Sequence, residues 1–150
     1  MKNLLKILSL LILVITGISS NAQTKFMNRN NDERMSNRIV TTNNAYTNID
    51  SVTIANNEIG ILQVTMIGYA KDTAYGVTGI KQCRYNKRGG TLTMGTVTDL
   101  LTTVVDADLD GATFDLNSSN GKIYIRVKGL TDIPFTWTCL VKRKSVTTVL

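Results

Sequence analysis

The feature that most restricts this chain is its punctuation. From Ile49 onward, short runs rich in Val, Ile, Thr and Tyr are separated by turn residues at intervals of roughly 8–12 positions. The runs are Ser51–Ala55, Ile59–Ala70, Tyr75–Asn86, Thr91–Thr98, Leu100–Val105, Ala112–Leu116, Lys122–Lys128 and Phe135–Lys142. Between them stand Asn56-Asn57, Lys71-Asp72-Thr73, Lys87-Arg88-Gly89-Gly90, the acidic loop Asp106–Gly111, Asn117–Gly121 and Gly129–Pro134. Such runs are too short for helices and carry the branched residues that suit a pleated surface. Residues 49–150 are therefore expected to form one all-β domain, an antiparallel, jelly-roll-like β-sandwich of about 7–8 strands. A closed barrel shares this periodicity and stays open as a topology.

Alternation assigns faces. In Lys122–Lys128, Ile123, Ile125 and Val127 point inward while Tyr124, Arg126 and Lys128 point outward. In the last run Phe135, Trp137, Cys139 and Val141 share one face, which places the sole Trp in the core rather than on a ligand platform. In Tyr75–Asn86 the residues Val77, Cys83 and Tyr85 share a parity that Ile80 breaks. Ile59–Ala70 is apolar on both faces, as expected of a strand in the middle of a sandwich.

The N-terminus is different. Lys2 and Lys6 precede an apolar stretch from Ile7 to Ile18, and Ser20-Asn21-Ala22 offers small residues for cleavage before Gln23. Residues 1–22 read as an export signal. The apolar stretch is short of the roughly 20 residues needed to span a bilayer, so membrane association is expected only through an uncleaved signal. Residues 23–48 are polar, without a sustained period, and read as a linker or docking arm. The protein is expected to be exported, to the periplasm, cell surface or medium.

Composition excludes several chemistries. The 150 residues contain no histidine, which removes His-based triads, imidazole relays and His-ligated zinc. Losing Lys2 and Lys6 with the signal leaves a net charge of +4, too sparse for a nucleic-acid footprint. Lys142-Arg143-Lys144 reads as a solvated strand end. Cys83 and Cys139 would meet an oxidising compartment, and either bridge two strands or remain buried thiols.

One constellation has ligand-like spacing. Asp106, Asp108 and Asp110 alternate ahead of Gly111, as a calcium loop requires, yet the twelfth position is Asn117 rather than Glu and the flanks read as strands. A solvated acidic turn accounts for the pattern, with Asp106, Asp108, Asp110 and Asn117 kept as the calcium candidate and no cofactor expected. Paired carboxylates for glycoside hydrolysis are not set apart from one another here, so an enzyme is not expected. A calcium-dependent hydrolase is the least favoured reading. Binding residues are suggested by type alone: Tyr75, Arg88 and Tyr124, because aromatics and Arg anchor interfaces.

Four stretches carry a wider likeness: Ile59-Gly-Ile-Leu-Gln-Val-Thr-Met-Ile-Gly68, Gly76–Lys87 running into Gly90-Thr-Leu-Thr-Met-Gly95, Gly121-Lys-Ile-Tyr-Ile-Arg-Val-Lys-Gly129, and Phe135-Thr-Trp-Thr-Cys139. In this order they resemble a β-sandwich domain found at the C-terminal end of bacteriophage tail-fibre and related virion proteins. The resemblance covers about two thirds of the chain and implies a non-enzymatic, homo-oligomeric virion module for structure or host attachment. Its implied partners are a host surface glycan or another virion or surface protein. The export signal departs from that pattern and keeps a second reading open, a secreted bacterial surface protein unrelated to virions.

Overall fold

The computed structural model describes residues 27–36, 38–71 and 75–148. The export signal lies outside the described residues. Ten strands follow in chain order: β1 (Met27–Met35), β2 (Ile39–Thr41), β3 (Tyr46–Thr53), β4 (Glu58–Ala70), β5 (Gly76–Arg88), β6 (Thr91–Met94), β7 (Thr98–Val105), β8 (Thr113–Ser119), β9 (Lys122–Lys128) and β10 (Phe135–Thr148). A single 3₁₀ turn, Ala107–Leu109, is the one helical element among the described residues. The chain is all-β and antiparallel, as its periodicity requires, with ten strands instead of seven or eight.

Two sheets share the core. The larger runs β1-β10-β4-β5-β6, with β2 also pairing β10 and β7 also pairing β5, so each edge is made of two short strands. The smaller runs β3-β9-β8. Leu62, Val64 and Met66 of β4, Trp137, Cys139 and Val141 of β10, and Cys83 and Tyr85 of β5 face Val52, Phe114, Ile123, Ile125 and Val127 of the smaller sheet. Glycine makes room for the large aromatics at three core positions. Trp137 covers Gly68, Tyr85 covers Gly60, and Phe114 of the other sheet covers Gly79. Trp137 also stacks on Phe135, 5.2 Å between centroids, and its indole N–H donates to Thr41 Oγ1 at 2.9 Å. A buried indole donor is thereby satisfied.

The turns follow their residues. Gly89-Gly90 and Asn120-Gly121 are two-residue hairpin turns with positive φ at both positions (57° and 83°, 50° and 72°). The second is shorter than Asn117–Gly121 suggested. Pairing extends β8 to Ser119 because Asn117 and Ser118 find Tyr124 and Ile123 opposite.

Residues 23–48 are where the sequence expectation departs most from the fold. Instead of a linker or arm, its described residues supply β1, β2 and the first residues of β3, with β1 and β2 laid along β10. Apolar period is absent there because the edge is held by charge. Asp32 stands opposite Arg143 and Glu33 opposite Lys142, with ion pairs of 3.8 Å and 3.3 Å. Arg34 reaches the smaller sheet, 3.0 Å from Asp50, and donates to the Ser51 carbonyl. Lys142-Arg143-Lys144 is correspondingly not a strand end. β10 runs through it to Thr148, and Arg143 turns inward toward Asp32 and Glu58.

Candidate functional site

The outer face of the larger sheet holds the chain's most distinctive surface. β4 is central in that sheet, but only its core-facing positions are covered. Ile59 is 61% exposed, Ile67 49% and Tyr69 44%, all on the opposite face. Ile80 belongs to this outer face too, with Thr78, Gln82 and Arg84, which settles the parity of β5.

One half of this face is polar and basic. Reading across strands, Asn31, Lys144, Ile61 and Arg84 form one row. Val146, Ile59, Asn86 and Thr93 form the next. Two adjoining grooves open here. The first, about 530 Å³, is lined by Ile59, Ile61, Arg84, Asn86, Thr93 and Gly95. The second, about 410 Å³, is lined by Asn57, Glu58, Ile59, Asn86, Arg88 and Thr148. Sharing Ile59 and Asn86, they make one trough running to the end of β5. Gly95 shapes it: its amide donates to the Arg84 carbonyl at 2.9 Å where β6 ends, and no side chain rises beside the guanidinium. Arg84, Arg88 and Lys144 are exposed, and among the described residues none has an acidic partner.

Among the described residues Glu58 is the only acid lining the trough, and it is 2% exposed. Tyr85 Oη–H donates to its Oε1 at 2.7 Å and the Ala55 N–H to its Oε2 at 2.9 Å. Arg143 lies 3.8 Å from Oε1. A buried carboxylate without such partners would be costly. Its oxygens are engaged in holding the β3–β4 turn to β5, and burial first, then the Glu58 carboxylate, pushes the Tyr85 phenol well above its ordinary range. Asn56 Oδ1 accepts from the Gly90 N–H at 3.0 Å, tying two turns together at this end.

The residues singled out in sequence do not converge. Arg88 lines the trough. Tyr75 precedes β5 at its other end, about 40 Å away at the rise of an extended chain. Tyr124 is on the outer face of the smaller sheet, opposite Ser51 and Asn117. The other tyrosines are dispersed as well: Tyr46 lies under Arg126 at 4.7 Å, Tyr69 under Arg38 at 5.7 Å, and Tyr85 is buried. Arg84, Asn86 and Lys144, which sequence reasoning passed over, are the ones that join Arg88. Their shared signal was outward parity on neighbouring strands, readable only once the register is known.

The described calcium candidates have separate surroundings. Asp106 Oδ2 accepts from the Gly76 N–H at 2.6 Å, closing the start of β5. Asp110 is exposed beyond the 3₁₀ turn, and Asn117 is inside β8. Among the described residues no three His, Cys, Asp or Glu side chains gather as a metal would need.

Cys83 and Cys139 are free, buried thiols and not a disulfide. Both face the core, but Cys83 is opposite Leu62 and Cys139 opposite Met66, with β4 between them. Two strand spacings put about 10 Å between their backbones before the offset along β4 is added, beyond the ~7 Å a disulfide tolerates. Burial pushes the Cys83 thiol up to about 11, and that of Cys139 upward as well. Neither is poised as a nucleophile. Among the described residues no helix is long and apolar enough to cross a membrane.

No protein-family model matches the sequence, and no curated protein matches it. Among solved structures the chain is similar to the tailspike protein gp49 of Acinetobacter baumannii bacteriophage Fri1, a capsular polysaccharide depolymerase. The TM-score is 0.48 at 15% identity, over 82% of this chain and 18% of that one. It is also similar to the tailspike protein of Acinetobacter baumannii phage AM24, with a TM-score of 0.37 at 8% identity, over 82% of this chain and 26% of that one. The chain thus spans no more than about a quarter of either tailspike.

Proposed function

We propose that this chain is a non-catalytic adhesion module of virion type that holds an acidic surface glycan in the trough on the outer face of its larger sheet. The observation that carries the reading is the set of exposed cations without acidic partners, Arg84, Arg88 and Lys144, placed among amide and hydroxyl groups. Arg84 and Lys144 flank Ile61 on neighbouring strands, about 10 Å apart, a spacing suited to successive acidic sugars. Guanidinium forks match carboxylate or sulfate oxygens, Asn57, Asn86 and Thr93 offer partners to hydroxyls, and Ile59 and Ile61 give the apolar floor on which a sugar ring packs.

Binding without turnover fits the disposition of most described acids, Asp110 and Asp132 being the exposed exceptions. Asp50, Asp99 and Asp115 are paired with Arg34, Lys81 and Arg126, and Asp32 and Glu33 with Arg143 and Lys142. Glu58 and Asp106 are engaged by backbone and tyrosine donors. The virion setting rests on the order of strands described in sequence.

Titration calorimetry with polyuronate oligosaccharides tests the reading. The expected result is binding that weakens with salt, falls at least tenfold in the Arg84→Ala/Arg88→Ala double variant, and releases no reducing ends. Equal binding to neutral oligosaccharides, or none to acidic ones, overturns it.

A further inference from the structure

One short motif has no part in the core or the trough. Asn117-Ser118-Ser119 is an Asn-x-Ser/Thr sequence whose middle residue is not Pro, the acceptor pattern for N-linked glycosylation. No other asparagine of the chain has Ser or Thr two positions on. The pattern alone arises often by chance, so its setting decides. Asn117 and Ser119 are both exposed. They share the outer face of the smaller sheet with Asp115, and β8, which carries them, ends that sheet and bonds only to β9. Ser119 is the last residue before the Asn120-Gly121 turn, so the motif ends where the ladder ends. Among the described residues nothing holds the Asn117 carboxamide, whereas Asp115 beside it is held by Arg126 at 2.6 Å.

We infer that Asn117 is the acceptor of an N-linked oligosaccharide. An acceptor asparagine has to present its amide nitrogen to an enzyme, with the hydroxyl residue two positions on free to be read. An exposed edge strand next to a hairpin meets that need, because opening the end of one ladder frees the motif without parting the two sheets. In the transfer, Asn117 Nδ2 displaces a lipid-linked pyrophosphate from the anomeric carbon of the donor's first sugar. The N–C bond forms as the C–O bond to phosphate breaks. The pyrophosphate leaves with the bonding electrons, the amide proton passes to a base of the enzyme, and nothing is oxidised or reduced. In a cell the donor is met across a membrane, where the export expected from residues 1–22 takes the chain. The fold also gives the glycan a place. Tyr124 stands directly opposite Asn117, with β-carbons about 5 Å apart, and its half-buried ring offers an apolar surface to the first sugar. The oligosaccharide then covers the open edge of β8, whose unpaired backbone groups are a template for a further strand. The trough lies on the other sheet, so the inference is independent of it.

Intact-protein mass spectrometry provides the test. The full chain is made in bacteria that carry an oligosaccharyltransferase and its lipid-pyrophosphate donor, and is recovered from the periplasm so that only exported chain is read. Purified folded chain receives the same enzyme and donor in vitro, and carries the test if export fails. The chain should gain the mass of one oligosaccharide, placed on Asn117 by fragmentation. The gain should vanish in Asn117→Gln and in Ser119→Ala and persist in Ser119→Thr, which keeps the hydroxyl. Trp137 emission reports whether each variant is folded. A wild type unmodified in both settings overturns the inference, as does a gain that survives Asn117→Gln.

Discussion

Trp137 lies flat across Gly68, the residue directly opposite it on β4, so closely that a β-carbon at Gly68 would overlap the indole. The contact explains how the largest side chain fits a sheet interior while its N–H still reaches Thr41. Gly68→Ala should displace the ring and break that hydrogen bond. The expected loss is about 1–3 kcal/mol, read by urea unfolding followed through Trp137 fluorescence, with a red-shifted native emission. A variant as stable as the wild type would contradict the packing.

The buried thiols and phenol predict instability in alkali. Cys83 is raised to about 11 and Cys139 is raised too, so between pH 9 and 11 the unfolded chain releases protons that the folded chain retains. Stability is complete below the ordinary thiol range and falls as pH rises through it, by roughly 2–3 kcal/mol from Cys83. Tyr85 adds to the fall above about pH 10. Urea midpoints measured across this range should decline in the wild type and decline less in Cys83→Ala, whose starting stability is lower. In the native protein at neutral pH an aromatic disulfide reagent should label neither thiol, and reductant should leave the melting temperature unchanged.

Opposite charges hold β1 to β10. Replacing Asp32 and Glu33 by Lys sets like charges against Arg143 and Lys142. Each exposed pair contributes about 0.2–1 kcal/mol, so the double variant should fray this edge without unfolding the body. Hydrogen exchange should rise selectively in the amides of β1 and its partner segment of β10. Uniform exchange across the sandwich would instead show that β1 is integral to global stability.

Calcium should bring no stabilisation. Asp106 is committed to the Gly76 amide and Asn117 to a strand. Millimolar calcium, followed by chelator, should leave the melting temperature where it was; a rise reversed by the chelator would restore the acidic loop as a metal site.

Much of the architecture is local and therefore legible in the chain. Period-two alternation marked Ile123, Ile125 and Val127, and Phe135, Trp137 and Cys139, as core positions, because a strand can bury one face only with every second residue. Gly89-Gly90 announced a hairpin, because its backbone needs positive φ, and Asn117–Gly121 announced a turn that pairing narrows to Asn120-Gly121. Pairing across distance was not legible. The segment 27–35 looks like a linker until its acids are seen opposite Lys142 and Arg143, more than a hundred residues away; an edge held by charge has no apolar period to detect. The isoleucines on both faces of β4 implied burial on both sides, yet only packing could say which side the smaller sheet covers. The gathering of Arg84, Asn86, Arg88 and Lys144 is likewise a product of register. Alternation tells each strand which residues share a face, but only hydrogen bonding between strands fixes which of those faces lie side by side, and that alignment created the basic trough.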